Sequence, residues 1–408
     1  MTDSGWAISS AGRRRTDMET CETGGRRWRL QSGVLYLTSG GWRRREVRLC
    51  KERLLYVELC QRPWHRLFHR ARVKLYVPVR RRPVFTAQME EGQAAALINR
   101  VAAGETPSGA GKRRYLTPGR HAALWGALTS RSVLLPWWLG AWCLGMGWRW
   151  FLPPIVSAVL LAAGLLALGV RLLSEGWLSV CILPEGFVIR MGLGGSRRLF
   201  VPRHAVVGVV ETASPAALFC GGSRMELLCE GGVRLPCMRW YTGGTGREAA
   251  LRLLDCEGLP RTWATDGKAF RTRYLRLTAL LFLGLPVWLW SFYALYAVGA
   301  FGAIWLPLLA GAALSAGILH CLTAVRFGGE AGVSISAGTL RMEGMGLLSA
   351  ERLTLRRGCL AAVRVRQGLT DRAADHCTAE LIPKGCRRGG QCRALPYEKL
   401  LAIVERFA

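Results

Sequence analysis

Over most of its length the chain alternates apolar and polar residues in short pieces, and in two places the apolar residues run together in long blocks. The short pieces are "GVLYL", "REVRL", "YVELC" and "RVKLYV" early in the chain and "VSIS", "TLRME", "RLTL", "AVRVR" and "TAELI" late in it. They alternate with the period of two of a half-buried strand, or run apolar briefly, and Gly and charged residues break them. Each group ends on a different period: Ala94, Leu97, Ile98 and Val101, and again Leu400, Ile403, Val404 and Phe407, recur at helical spacing. Several short strands closed by one amphipathic helix predict a small β-barrel or sandwich plugged by that helix.

The long blocks predict something else. Ser132 to Val170 holds Arg149 as its only charge, and Leu277 to Val325 holds no Asp, Glu, Lys or Arg. A bilayer span takes about 20 apolar residues. Each block therefore has the length of two spans, turned back at Arg149 to Pro154 and near Gly299 to Gly302. Tryptophans gather near the block ends, as in an interfacial aromatic belt. Buried helical hairpins in a soluble core would also be apolar, but uncharged runs this long are hard to keep in water. The expectation is four transmembrane helices in two hairpins, within 132–173 and 275–325.

The flanking segments repeat one another. "GVLYLTSGGWRRREVRL" begins at Gly33 and leads through Val57 to Gln61, Arg66 and Leu75, while "GTLRMEGMGLLSAERLTL" begins at Gly338 and leads through Val363 to Gln367, Arg372 and Leu381. From valine to leucine the spacings agree without a gap, and each closing helix starts 33 residues after its glutamine. Such self-similarity marks repeated structural units. A weaker middle copy reads "EGFVIRMGLGGSRRLFVPRHAVVGVV", with Ala250, Leu253 and Leu254 on its closing helix and Ala213 and Leu218 in place of the glutamine and arginine. The expected organisation is a polar, disordered leader at 1–27, copies at 28–103, 174–258 and 326–408, and linkers at 104–131 and 259–274.

A glycine-led turn, a basic strand entry, a Val-x3-Gln-x4-Arg element, a strand and a closing helix together resemble the bacterial pleckstrin-homology-like membrane proteins of the YdbS/YdbT type. "GLLSAERLTLRRGCLAAVRVRQGLTDR", Gly346 to Arg372, and "GGWRRREVRLCKERLLYVELCQRPWHR", Gly40 to Arg66, carry the likeness, which runs from about Trp28 onward. The resemblance implies an α+β membrane protein in which two transmembrane α-helical hairpins alternate with three cytoplasmic PH-like small β-barrel or sandwich units, each closed by a C-terminal helix. It also implies a hairpin ahead of the first unit, where this chain has the polar leader. Pleckstrin-like folds mostly host binding, an analogy at the level of the fold.

Charge sets the expected orientation. The net charge is +29, with 26 Lys+Arg against 10 Asp+Glu in residues 1–131, and the two hairpin turns carry one arginine between them. The positive-inside rule then places both termini and all three copies in the cytoplasm. The 14 cysteines are scattered with no C-x-x-C pair, as befits reduced thiols used for packing. Basic clusters at Arg26 and Arg27, Arg43, Arg44 and Arg45, Arg80, Arg81 and Arg82, and Lys112, Arg113 and Arg114 are candidate contacts for anionic lipid. Each such residue held beside the inner leaflet gains about 1 kcal/mol. A solvated face would account for many of the same charges.

The candidate chemistry is thin. Cys60 beside His65 invites a thiolate nucleophile, and His65 with His69 a zinc pair, but Arg62, Arg66 and Arg70 surround them and Arg366 stands at the Cys60 position of the third copy. "YTGGTGRE", Tyr241 to Glu248, is a glycine-rich helix entry without a Walker lysine. Only Gln61 and Arg66, with Gln367 and Arg372, survive comparison of the copies, as a shared structural or binding motif. No cofactor, metal or catalytic residue is expected, and no nucleic-acid-binding element accompanies the basic charge. The sequence points to a non-enzymatic membrane scaffold for anionic lipid, with a protein partner or a second copy of the chain as its other expected partners; the alternative is a transport or export component gated by the cytoplasmic copies.

Overall fold

The alternating pieces become strands. The computed structural model describes residues 21–242 and 331–407 with short breaks, among them 40–44, 79–81, 104–113 and 147–151; of 243–330 it describes 262–264 and isolated positions from Thr272 to Cys321. The first copy opens with β1 (Cys21–Thr23), β2 (Arg26–Gln31), β3 (Val34–Ser39) and β4 (Arg45–Cys50), antiparallel neighbours in that order. It continues with β5 (Tyr56–Cys60), β6 (Arg70–Tyr76) and β7 (Phe85–Glu90), and closes on a helix, Glu91–Ala103, that buries Ala94, Leu97 and Ile98. The short β8 (Arg114–Leu116) precedes the first apolar block.

The middle copy supplies β9 (Ser179–Leu183), β10 (Gly186–Met191), β11 (Arg197–Pro202), β12 (Val206–Ala213), β13 (Gly222–Cys229) and β14 (Val233–Thr242). The third follows β15 (Thr262–Ala264) with β16 (Gly332–Ser336), β17 (Thr339–Gly346), β18 (Ser349–Arg356), β19 (Leu360–Arg366), β20 (His376–Pro383) and β21 (Gly390–Pro396). The Tyr397–Phe407 helix closes it and buries Leu400.

These strands do not stay within their copies. Two sheets have seven strands, in the orders β7-β6-β5-β11-β10-β9-β8 and β14-β13-β12-β18-β17-β16-β15. The second half of one copy thus pairs edge to edge with the first half of the next. β5 lies antiparallel to β11 with Val57 opposite Phe200, and β12 lies antiparallel to β18 with Val209 opposite Thr354. Leu49, Val201 and Leu355 each stand eight residues before Val57, Val209 and Val363. Phe200 and Thr354 each precede their member of that leucine and valine set by one residue, so both joints use the same register.

The architecture differs from the one the sequence leads one to expect. In place of separate pleckstrin-like units alternating with four transmembrane helices, the described residues form four sheets, two of them shared between copies. They contain one helix long and apolar enough to cross a membrane, over Ile155–Leu173. The physical reason for the sharing is edge satisfaction. A lone three- or four-stranded sheet leaves a row of unpaired N–H and C=O groups at its margin, and pairing the margins of successive copies removes that cost. Three apolar cores lie between the sheets: Leu35, Leu49, Val57, Val73 and Leu97 in the first, Val180, Ile189, Val209, Met225 and Leu227 in the second, and Leu340, Leu353, Leu355, Leu381 and Leu400 in the third. Phe200 of β11 packs in the first core, and Val207 and Val210 of β12 in the third, so the joints lock the cores to one another.

The first apolar block forms helices at Arg131–Met146, which contains Pro136, and Leu152–Glu175. They pack closely: the Cα of Gly164 meets the Trp137 ring where a Cβ would not fit, and Ser157 Oγ donates to the Gly140 carbonyl at 2.6 Å. The base of this hairpin is tied to the middle copy. Arg224 Nη2 donates to the Gly126 carbonyl at 2.8 Å, and Ser214 Oγ to the Thr129 carbonyl at 3.0 Å. The second apolar block, apart from isolated positions, lies outside the described residues, as do the leader through Thr20 and the expected helix at Ala250, Leu253 and Leu254.

Candidate functional site

The shared glutamines sit at strand ends. Gln61 is buried just after β5, where its backbone N–H donates to the Ser196 carbonyl at 2.7 Å, and its Nε2 finds no hydrogen-bond partner among the described residues. Gln367 Nε2 donates to the His376 carbonyl at 3.2 Å and so ties the end of β19 to the start of β20. Arg66 and Arg372 are both exposed, on one-turn helices at Pro63–Leu67 and Leu369–Ala373. His65 lies on the first of these helices, and His69 follows it with a left-handed backbone, φ 48°. Among the described residues no three His, Cys, Asp or Glu side chains gather as a metal ion would require.

The basic candidates are spread out. Arg26 and Arg27 lie in β2, Arg45 begins β4, Arg114 begins β8, and Arg82 is exposed between β6 and β7. Arg43, Arg44, Arg80, Arg81, Lys112 and Arg113 fall outside the described residues.

Sequence reasoning missed the charges that the fold does bring together, which are the carboxylates at the joints. Glu58 points from β5 into a site only 3% exposed. There its Oε1 pairs with Arg197 Nε of β11 at 2.7 Å, and its Oε2 pairs with Lys74 Nζ at 3.6 Å and accepts from Tyr76 Oη at 3.0 Å. Tyr56 stacks on Tyr76 with ring centroids 4.3 Å apart. Burial first, and then the Glu58 charge, push the Tyr56 hydroxyl up to about 12, and the same two causes raise Tyr76.

The second joint has its own cluster. Glu211 of β12 faces Arg352 of β18 at 3.9 Å, and Arg352 Nε also reaches Glu343 Oε2 at 3.2 Å. Glu343 Oε1 pairs in turn with Arg341 Nη2 at 2.8 Å, with both side chains buried. A second tie, Arg234 Nη2 to Glu351 Oε1 at 2.7 Å, runs from β14 to β18 near the surface. In the pairs between the two joined strands, Glu58 with Arg197 and Glu211 with Arg352, the carboxylate stands on the earlier copy and the arginine on the later one; the Arg234–Glu351 tie runs the other way. The available signal was a lone Glu inside an apolar run, in "LYVEL" and again in "VVET"; a carboxylate there must find a partner when the strand is buried.

Chemically these clusters hold strands together. A buried carboxylate met by arginine and hydroxyl donors fixes register, because a slip of one residue would strand its charge. The neighbouring thiols are unreactive by position: burial drives Cys229, Cys237 and Cys392 up to about 12, so they stay protonated near neutral pH. Compared with protein-family models, with curated proteins and with solved structures, the chain matches none. The resemblance drawn from the sequence therefore rests on the quoted motifs alone.

Proposed function

We propose that this protein is a membrane-associated, non-enzymatic scaffold whose joined sheets present a basic surface to anionic lipid or to a protein partner. The observation that carries this reading is the outward face of the apolar hairpin. Leu166 is 72% exposed, with Ile155, Val159, Leu165, Val170 and Leu173 also open on the same helix and Leu135 and Trp138 open on its neighbour. An exposed apolar surface this extensive calls for lipid or protein to cover it. The net charge of +29 favours the anionic leaflet. The alternative, a transport path gated by the copies, gains no support from the described helices, which meet through Gly164 on Trp137 and Gly140 on Leu161.

Two measurements test the proposal. Membranes carrying the full chain are expected to retain it through alkaline carbonate washing, and release into the supernatant would refute membrane insertion. In detergent, added anionic lipid is expected to raise the melting temperature more than zwitterionic lipid does, with the difference shrinking at high salt. A rise independent of headgroup charge and salt would remove lipid from the reading.

A further inference from the structure

Each copy with a described second sheet offers that sheet's first strand, β5, β12 or β19, as an edge. β5 and β12 are covered by β11 and β18, and most of their residues are buried. β19 pairs with β20 on one side and with no strand on the other among the described residues. Its Ala361, Ala362, Arg364 and Arg366 are exposed. Among the described residues the same edge thus occurs three times and is filled twice, in one register and each time by an antiparallel strand.

The charges on the open edge say what would fill it. Arg364 occupies the position of Glu58, and Arg366 that of Cys60. In the pairs Glu58–Arg197 and Glu211–Arg352 the accepting strand brings the carboxylate and the incoming strand the arginine. At β19 the accepting strand brings the arginines, one of them held by Glu380 at 3.3 Å from Arg364 Nη1. A strand complementary to this edge carries Asp or Glu. A second copy of the chain is a poor match: in the shared register its β4 would set Arg45 opposite Arg366 and Arg48 opposite Val363, and like charges directly opposite destabilise a strand pair.

We infer that β19 is a docking edge for an extended acidic segment of another protein, which adds to the sheet as an antiparallel strand and sets its carboxylates against Arg364 and Arg366. Main-chain hydrogen bonds supply affinity in this mode, and alternate side chains supply selectivity. The inference deepens the scaffold reading by naming the partner's chemistry.

The test uses the full chain in detergent and labelled eight-residue peptides followed by fluorescence anisotropy. A peptide alternating Val and Glu is expected to bind saturably. One alternating Val and Lys, and a Glu peptide with two central residues replaced by Pro, are expected to bind at least tenfold more weakly, the latter because Pro has no N–H to give the ladder. Arg364→Glu/Arg366→Glu should invert the preference toward the Lys peptide, and Arg366→Glu alone, which leaves the Arg364–Glu380 pair intact, should cut Glu-peptide binding several-fold with unchanged melting.

Equal binding of the Glu and Lys peptides, or no saturable binding, overturns the inference and leaves the arginines as guards of a bare edge. So does sedimentation as a concentration-dependent oligomer that Arg366→Glu strengthens, since that outcome seats a second copy on β19. Because the assay contains no lipid, its failure is separate from failure in the carbonate and lipid measurements.

Discussion

Glu58 concentrates the physics of the first joint in one side chain. Glu58→Gln removes the charge that Arg197, Lys74 and Tyr76 face while keeping the shape. Hydrogen bonds to a charged group are worth about 1.5–3 kcal/mol, and the lower end applies because Arg197 and Lys74 keep some contact with water. Glu46→Gln, which breaks an exposed pair with Arg48, is expected to cost less than about 0.5 kcal/mol. Chemical denaturation of both variants checks the contrast. The same cluster sets an alkaline limit. Tyr56 in the fold ionises at about 12 against an ordinary 10, so its stabilising effect is whole below pH 10 and is lost as pH rises from 10 to 12. Tyrosinate absorbance followed beside circular dichroism should show late tyrosines ionising with unfolding in the native protein, and earlier in Glu58→Gln, where one of the causes raising them is gone. The glutamate was legible as an oddity in an apolar strand, but Arg197 was not legible as its partner. Nothing local links β5 to a strand that lies beyond the whole apolar block.

At the scale of elements, the strands and closing helices were readable because period two and period 3.6 are local signals. "RVKLYV" and "AVRVR" fall within β6 and β19 up to a residue at the ends, and Ala94, Leu97 and Leu400 are buried as their spacing implies. The joins between copies were not readable, because an edge strand looks the same whether its neighbour comes from its own copy or the next. Apolarity likewise disclosed the first block but not how it is divided: Pro136 sits within a helix of 16 residues, and the longer helix carries the only described stretch of spanning length. Turns between strands matter as well. Gly231, between β13 and β14, has φ +81°, and a Cβ on it would stand 2.5 Å from the Pro78 carbonyl oxygen; a Cβ on Gly385, between β20 and β21, would stand 2.8 Å from the Gly231 nitrogen. Hairpin turns of all three copies therefore meet at Gly231. Gly231→Ala is expected to cost more than Gly358→Ala, whose φ is +80° but whose Cβ would meet open space. The left-handed backbone costs about 1–2 kcal/mol in either variant, and the excess in denaturation midpoints measures the contact between copies.

For the molecule as a whole, repetition was legible and its purpose was not. The repeated strand pattern and closing helices mark copies, and the natural reading of copies is a row of independent domains. The structure instead shares two of its four sheets between successive copies, with Glu58 and Glu211 at the joints, and among the described residues leaves β19 with one margin bare and Arg364 where the first copy has Glu58. The shared sheets also impose an order on biosynthesis. β5 leaves the ribosome long before β11 exists, since the linker and the apolar hairpin must be made in between. During that interval a finished, mostly apolar strand waits with one margin bare, the situation in which nascent chains aggregate or recruit chaperones. Insertion of the hairpin into a bilayer would shorten the wait in space if not in time, by holding the first copy where the second will emerge.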